Sequence, residues 1–270
     1  MRWINRRPGR LATLGLSIVP FLLALLAYVV ASDIRRADNP ADKLLPSIPQ
    51  IVSTAGRLAT QPDRRSGDIL LWKDTGASLM RLALGVGISA TMALVFGVMT
   101  GLLPYAGAGL SPFFAALSLI PPLAVLPILF IVFGLGEVSK IALIVIGIAP
   151  IMIRDLGQRV AEIPGEIIVK AQTLGASTRA IALRVVLPQV MPRLIQAIRL
   201  GLGPAWLFLI AAEAIASTEG VGYRIFLVRR FLAMDVILPY VMWITLLAFL
   251  IDLALRQISR RAYPWAGEAR

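Results

Sequence analysis

Long runs without charge dominate the hydrophobic pattern of this chain. Residues 11–31 contain no Asp, Glu, Lys or Arg, and neither do residues 82–136. A helix needs about 20 apolar residues to cross a bilayer, so the second run must hold two spans. Strands of a membrane barrel would alternate in polarity, which these runs do not. The pattern therefore predicts an all-α, polytopic membrane protein with six transmembrane helices.

Six spans divide the chain into three regions. Residues 1–74 hold the first span and an extracytoplasmic segment, in which a proline-rich turn predicts a short surface helix over 50–59. Residues 75–256 hold five spans and a cytoplasmic loop over 155–192, and residues 257–270 form a cytoplasmic tail. The spans are predicted at 11–31, 82–103, 110–134, 138–153, 194–217 and 236–255.

Glycine and proline mark the breaks and contacts of these spans. We expect 104–109, PYAGAG, to form a tight turn, and Gly97 and Gly101 to provide a small face for close helix contact. Proline interrupts the next span and frees carbonyls, which protein or a water-filled cavity must satisfy. A kink that lines a pathway and a purely structural kink are equally compatible with the prolines involved, Pro121, Pro122 and Pro127.

The longest segment of mixed polarity between two spans is 166–192. Gly175 suits the position that ends a helix, and Ser177 can cap a second helix after it. The proline of Leu187-Pro188 predicts the end of that second helix. The sequence thus predicts a helix–glycine–helix hairpin, which is too charged to lie in lipid and must contact something outside the membrane.

Composition limits the chemistry of the chain. Hydrophobic residues make up 58% of it and the mean hydropathy is +0.80, unlike soluble domains. We interpret the formal charge of +12 as basic residues that flank spans, not as a nucleic-acid surface. Cys and His are absent, so no disulfide, no metal site and no Ser–His–Asp triad is expected. The glycine-containing stretch 134–140 lacks the spacing of a phosphate-binding loop.

The 166–192 segment resembles the cytoplasmic signature loop of permease subunits of binding-protein-dependent ABC importers. That pattern is Glu-Ala-Ala, three residues, Gly, nine residues, Ile, one residue, Leu-Pro. Here the match begins at Ala171, whereas Val169-Lys170 replace Glu-Ala and Glu166 lies a turn earlier. The resemblance implies that the loop contacts an ATPase through Glu166, Val169, Lys170, Ala171, Gly175, Ala176, Val185, Leu187 and Pro188.

A second stretch, IPPLAVLPILFIVFGLGEVSKI, resembles the corresponding segment of nitrate-, sulfonate- and taurine-type permeases. The resemblance implies the type I (MetI-like) importer fold, a permease dimer expected to be a homodimer, an extracytoplasmic solute-binding protein, and cytoplasmic ATPases that hold the ATP. This chain would bind no cofactor itself. Stretches such as AQTLGAS and GYRIFLVRR are similar to permeases linked to urea-carboxylase or guanidine metabolism. The substrate is therefore left open among small oxyanions, sulfonates and small nitrogen compounds.

Lysine and arginine indicate the orientation in a bacterial inner membrane. With six spans, both termini and the 155–192 loop share one side, and acids accompany many basic residues on the other side. The positive-inside rule favours a cytoplasmic position for that shared side. Its basic residues are Arg2, Arg6, Arg7, Arg10, Arg154, Arg159, Lys170, Arg179, Arg184, Arg193, Arg256, Arg260, Arg261 and Arg270.

Three ionisable residues lie in apolar sequence within or beside the spans. Glu213 either lines the pathway, as the counter-charge of a cation, or lies near the outer interface beside an arginine. Asp252 is expected to pair with Arg256 on one helix face, and Arg81 to snorkel to the outer interface.

Two other classes of protein are weighed against a permease subunit. An ion-gradient-driven secondary transporter would show internal repeats and paired intramembrane ionisable residues, whereas this chain has no clear repeat and one deep acid. A membrane-embedded enzyme would need His, Cys or paired acids. The sequence favours the permease and keeps the secondary transporter as the alternative.

Overall fold

The computed structural model describes residues 9–39, 43–63 and 66–266. Within these ranges all regular structure is helical, as predicted. The basic residues predicted at positions 2, 6, 7 and 270 lie outside them. The helices are α1 (Arg10–Asp38), α2 (Ile48–Thr60), α3 (Leu70–Leu102), α4 (Pro104–Leu117), α5 (Pro122–Phe133), α6 (Glu137–Ala161), α7 (Gly165–Thr173), α8 (Thr178–Ile181), α9 (Leu187–Ala216), α10 (Val221–Arg229) and α11 (Met234–Ala262).

Five described helical segments are long and apolar enough to cross a membrane: α1, α3, α6, α8 continued into α9, and α11. Helices α4 and α5 qualify as a pair, bent by 93° at the short break between them. Counting the pair as one broken span gives the six spans predicted. Proline explains the bend, because Pro121 and Pro122 open α5 and neither has the N–H that would continue α4.

Helices α3 and α6 run in the same direction and form the centre of the bundle. Gly97 faces Leu156 and, four residues further along both helices, Gly101 faces Val160. A Cβ atom at Gly97 would lie 2.9 Å from the Leu156 Cβ. Since lipid is as apolar as the helix surfaces, such close packing is a main source of their association. The predicted contact face is confirmed.

Helix α9 runs in the opposite direction across α6. Phe208 fills the space beside Gly147, and the backbone of α9 lies close to Met152. Helix α11 is joined to α9 by Arg199, whose Nε donates to Asp252 Oδ1 at 2.7 Å. The predicted pairing of Asp252 with Arg256 is incomplete, because the arginine that donates hydrogen bonds to Asp252 comes from a neighbouring helix.

The bundle has two distinct ends. The hairpin end contains α7, α8 and the last turns of α3, α6 and α11. The far end contains α10, the first turns of α3 and α6, and the last turns of α9. The spans therefore separate two groups of polar residues, one at each end.

The stretch 104–109 is not the tight turn expected from its composition. Helix α3 ends at Leu102, Leu103 is extended, and α4 begins directly at Pro104. Proline suits the first position of a helix, where its missing N–H would have no partner in any case. A single extended residue, Leu103, therefore changes the direction of the chain between α3 and α4.

Helices α1 and α2 lie at the edge of the bundle. The most apolar window of α1 has no buried residue, and hydroxyls of Tyr28 and Ser32 hold its second half by donating to carbonyls of Pro46 and Leu45 at 2.7 and 2.9 Å. Helix α2 is the predicted surface helix, and it starts with a capping box formed by Ser47.

Candidate functional site

The segment between α6 and α9 is a helical hairpin; we use "the hairpin" for residues 165–186, which comprise α7, the Gly175 turn, α8 and a π-helical segment, Ala182–Val186. Gly175 has a φ of +80°. Its N–H donates to the Gln172 carbonyl at 2.9 Å, and the N–H of Ala176 donates to the Ala171 carbonyl at 3.0 Å. These two bonds form a Schellman cap, whose left-handed position favours glycine.

The second half of the hairpin begins with the predicted serine cap. Ser177 Oγ accepts a hydrogen bond from the Ala180 N–H at 3.3 Å. The N–H and C=O groups at the turn are thus bonded locally, without help from the spans. The predicted helix–glycine–helix geometry is confirmed.

The hairpin does not stop at Leu187-Pro188 as predicted. Helix α8 continues through the π-helical segment into α9, which makes one helical rod over Thr178–Ala216. In an α-helix the ring of Pro188 would clash with the carbonyl four residues earlier. The wider π turn, in which the Leu187 N–H donates to the Ala182 carbonyl, accommodates the proline.

The hairpin exposes apolar side chains. Leu174 is 87% exposed at the tip and Val169 is 56% exposed, and α7 has no buried residue. Glu166 and Lys170 are also exposed, one turn apart on α7. The remaining signature residues differ in their burial. Ala171, Ala176 and Val185 pack against the core, Leu187 is half-buried and Pro188 is exposed.

A second cluster of polar residues lies at the opposite end of the bundle, and the sequence predicts only part of it. We call it the far-end network. Arg81 NH1 donates to Glu213 Oε1 at 2.7 Å, and its NH2 donates to Glu137 Oε1 at 2.8 Å. Arg81 is 3% exposed, so the prediction that it snorkels is wrong. The network consists of Asp74, Ser78, Arg81, Glu137, Lys140, Glu213, Arg224 and Tyr240.

Glu213 has no exposed surface. Besides Arg81 it accepts hydrogen bonds from Ser78 Oγ at 2.7 Å and from the Gly222 N–H at 2.9 Å. In this conformation its carboxylate is occupied by partners of the same chain, which matches the alternative of an acid beside an arginine. A role for Glu213 in the pathway stays a prediction.

Asp74 forms the other half of the far-end network. It accepts from Arg224 Nε at 2.8 Å, from the Tyr240 hydroxyl at 3.0 Å and from the Gly220 N–H at 3.0 Å. Burial opposes the charged form of Arg224, but the hydrogen bond and the charge of Asp74 leave the pKa of Arg224 above its ordinary value. Since an unpaired buried charge costs several kcal/mol, these pairs hold α3, α10 and α11 together.

Sequence reasoning missed Asp74, Arg224 and Tyr240. One signal could have found some of this set, because Asp74, Ser78 and Arg81 follow each other at spacings of four and three on an apolar helix. Such spacing places three polar groups on one face. Their partners lie more than 50 residues away along the chain and have no local signature.

The bend between α4 and α5 borders one cavity. Pro122 lines a cavity of about 370 Å³ between the bend, α6 and α9, and Pro121 lies beside it at the start of α5. Pro127 lies inside α5 and is exposed. A pathway role for the three prolines stays a prediction.

These features define a helical membrane protein with an exposed helical hairpin at one end. The sequence model of the family described as "binding-protein-dependent transport system inner membrane component" matches residues 78–263. The taurine transport system permease protein TauC of Escherichia coli K12 is 39% identical over 204 residues, which are 75% of this chain and 74% of that protein. The putative aliphatic sulfonates transport permease protein SsuC of Bacillus subtilis is 31% identical over 189 residues, 70% and 68% of the two chains.

Solved structures agree on the fold. A chain of the methionine ABC transporter MetNI, in inward-facing conformations, gives a TM-score of 0.59 at 22% identity and covers 71% of this chain and 96% of that one. The chain belongs to the family of binding-protein-dependent inner-membrane transport components. It is a multi-pass permease subunit of an ABC importer and not an enzyme. Family membership removes the secondary transporter as an alternative.

Proposed function

We propose that separate cytoplasmic ATPase subunits drive this permease through the hairpin. The observation that carries the proposal is the tip of the hairpin, where Leu174 is 87% exposed beside a turn fixed by Gly175. Exposed apolar groups rimmed by charge are typical of protein-binding surfaces. The hairpin continues into α9, so a movement of the tip reaches the spans directly.

The same proposal assigns an orientation and partners. The hairpin end and both termini face the cytoplasm of a bacterial cell, and the far end faces a solute-binding protein. ATP binds to the ATPase partners, and this chain binds no cofactor. Two copies of the chain form the pathway. A contact can drive transport only if it differs between two conformations, which ATP binding and hydrolysis on the partners would supply.

We propose a small organic sulfonate or similar oxyanion as the transported solute. Support comes from the names of the relatives, which refer to taurine and to aliphatic sulfonates. Glu213 was the reason to consider a cation, and its carboxylate is bonded to Arg81. A guanidine or urea-like solute stays a prediction of the sequence resemblance.

Leu174→Asp tests the role of the hairpin. We expect the variant to insert normally but to lose copurification with the ATPase subunit and ATP-dependent uptake, because a charge replaces the apolar contact. Val52→Asp is the matched control, since Val52 is 64% exposed on α2, away from the hairpin. ATPase binding and substrate-stimulated ATP hydrolysis at the normal level in Leu174→Asp would show that the hairpin is not the coupling surface.

A further inference from the structure

Three neighbouring cavities lie beside α6. Their volumes are about 740, 370 and 210 Å³, and Ile151 lines all three. The largest lies between α4, the end of α3 and the last third of α6. The other two extend from it towards α9.

Among the described residues that line these cavities, Arg154 carries the only positive charge. Its NH1 donates to Ser118 Oγ at 2.6 Å, and Ser118 ends α4 at the bend. The serine hydroxyl also donates to the Ala115 carbonyl at 2.8 Å, so it holds one edge of the guanidinium in place.

Arg154 is exposed at the cavity wall and differs from three paired basic residues of the helical bundle. Arg81, Lys140 and Arg199 each form a salt bridge with an acid, whereas Arg154 forms none with a described residue. The neighbouring Asp155 also lines the cavity, but its carboxylate is 3.8 Å from Arg159. An arginine with free donors at a cavity wall is suited to bind a planar or tetrahedral oxyanion.

The position of Arg154 fits a solute rather than the hairpin contact. It lies seven residues before the end of α6, which is about 10 Å along the helix at 1.5 Å per residue. The bend that separates α4 from α5 lies at the same level, because Ser118 contacts the guanidinium.

We infer that Arg154 binds the oxyanion group of the transported solute in this cavity and thereby favours anions over cations. The inference rests on the proposed function for the identity of the solute. It also holds for any small sulfonate or carboxylate, since the recognised chemistry is the charged oxygen group. A lipid phosphate offers the same chemistry, and it would neutralise the arginine for as long as it is bound.

Cysteine labelling measures the charge preference of the cavity. The natural chain has no cysteine, so Ala115→Cys introduces a single thiol on the cavity wall. The full-length protein in membranes is treated with a sulfonatoethyl and with a trimethylammonioethyl methanethiosulfonate, each forming a disulfide with the thiol and releasing sulfinate. We expect Arg154→Gln to lower the anionic-to-cationic rate ratio about tenfold, since one positive charge is removed a few ångströms away.

Two controls make the labelling result specific. Arg154→Lys keeps the charge and should keep most of the rate ratio. Arg193→Gln removes an exposed positive charge of α9 that lines none of the three cavities, and it should leave the ratio within about twofold, because water and salt screen exposed charges. An unchanged ratio in Arg154→Gln would overturn the inference, and it is also the result expected if a lipid phosphate occupies the arginine.

Uptake separates this inference from the proposed function. In the complete transporter, Arg154→Gln should lower labelled taurine uptake at least tenfold while basal ATP hydrolysis and ATPase binding are retained, and Arg154→Lys should restore some of it. Normal taurine uptake by Arg154→Gln contradicts the inference. If the unmodified complex transports no anion, the proposed substrate class fails, and the labelling ratio still decides whether Arg154 makes the cavity selective.

Discussion

Arg81 is the central residue of the far-end network. It joins a fully buried acid, Glu213, to a half-exposed acid, Glu137, and so links α9 to α6 through α3. The two acids differ in what happens when the arginine is removed. Glu137 can turn to water and keeps Lys140 at 2.8 Å, whereas Glu213 would stay buried without a counter-charge.

We expect Arg81→Met to destabilise the protein by about 3–5 kcal/mol, because breaking a buried pair leaves an uncompensated charge. Glu213→Gln should cost less, since Arg81 keeps Glu137 and the amide oxygen still accepts from Ser78. Thermal unfolding of the purified protein in detergent measures both effects.

An exposed pair supplies the control. Lys73 and Asp68 form a salt bridge with both side chains almost half exposed, and Asp68→Asn should leave the unfolding temperature almost unchanged, because water screens an exposed ion pair. Equal destabilisation by Glu213→Gln and Arg81→Met would mean that the pair itself, and not the stranded carboxylate, sets the cost.

Local signals identify the hairpin residues, whereas residues with distant partners escape prediction. Gly175 and Ser177 act through bonds to residues within five positions, so their roles can be predicted from the sequence. Arg81 was predicted to snorkel because its acids lie 56 and 132 positions away. For the same reason the sequence does not predict the hydrogen bond of Asp252 with Arg199, which lies 53 positions away.

Proline acts differently in the two interrupted helices. At Pro121-Pro122 the chain turns by 93°, whereas at Pro188 the helix continues by widening into a π turn. Sequence alone predicts a break at both places, since both prolines lack the donor that an α-helix needs. The difference lies in the surroundings: Val186 and Val190, on either side of Pro188, are buried in the core and keep the rod straight enough to pack.

Pro188→Ala should change the direction in which the hairpin points. Alanine restores the missing N–H and removes the ring, so the π turn can revert to α-helix and rotate the hairpin by about 100° around the rod. Spin labels at Leu174→Cys and Leu200→Cys, both on exposed positions, measure the change as a shift in their distance distribution.

A second proline distinguishes this effect from general loosening. Pro192 lies inside α9 beyond the π-helical segment, and Pro192→Ala should leave the distance between the labels unchanged. A similar shift in both variants would indicate that the helix is simply flexible there.

The whole molecule separates its polar groups by the length of the spans. The hairpin lies at one end and the far-end network at the other, so the orientation can be tested without any partner. We expect a cysteine in place of Val52 to react with a membrane-impermeant maleimide on intact cells, and a cysteine in place of Leu174 to react only after permeabilisation. Both positions are exposed, and the chain has no other cysteine.

The reverse labelling pattern would invert the proposed orientation and remove the hairpin from the cytoplasm. The unmodified chain serves as the background control, because it should take up no label in either condition.

The continuous helix over Thr178–Ala216 connects the hairpin to the far-end network. Its 39 residues correspond to about 58 Å of helix at 1.5 Å per residue. A tilt of about 10° at the hairpin would displace the opposite tip by about 10 Å, several times the width of a hydrogen bond. Near the far end of this helix, Glu213 accepts hydrogen bonds from Arg81 and Ser78 of α3. A tilt of the helix must therefore either move α3 with it or break these hydrogen bonds.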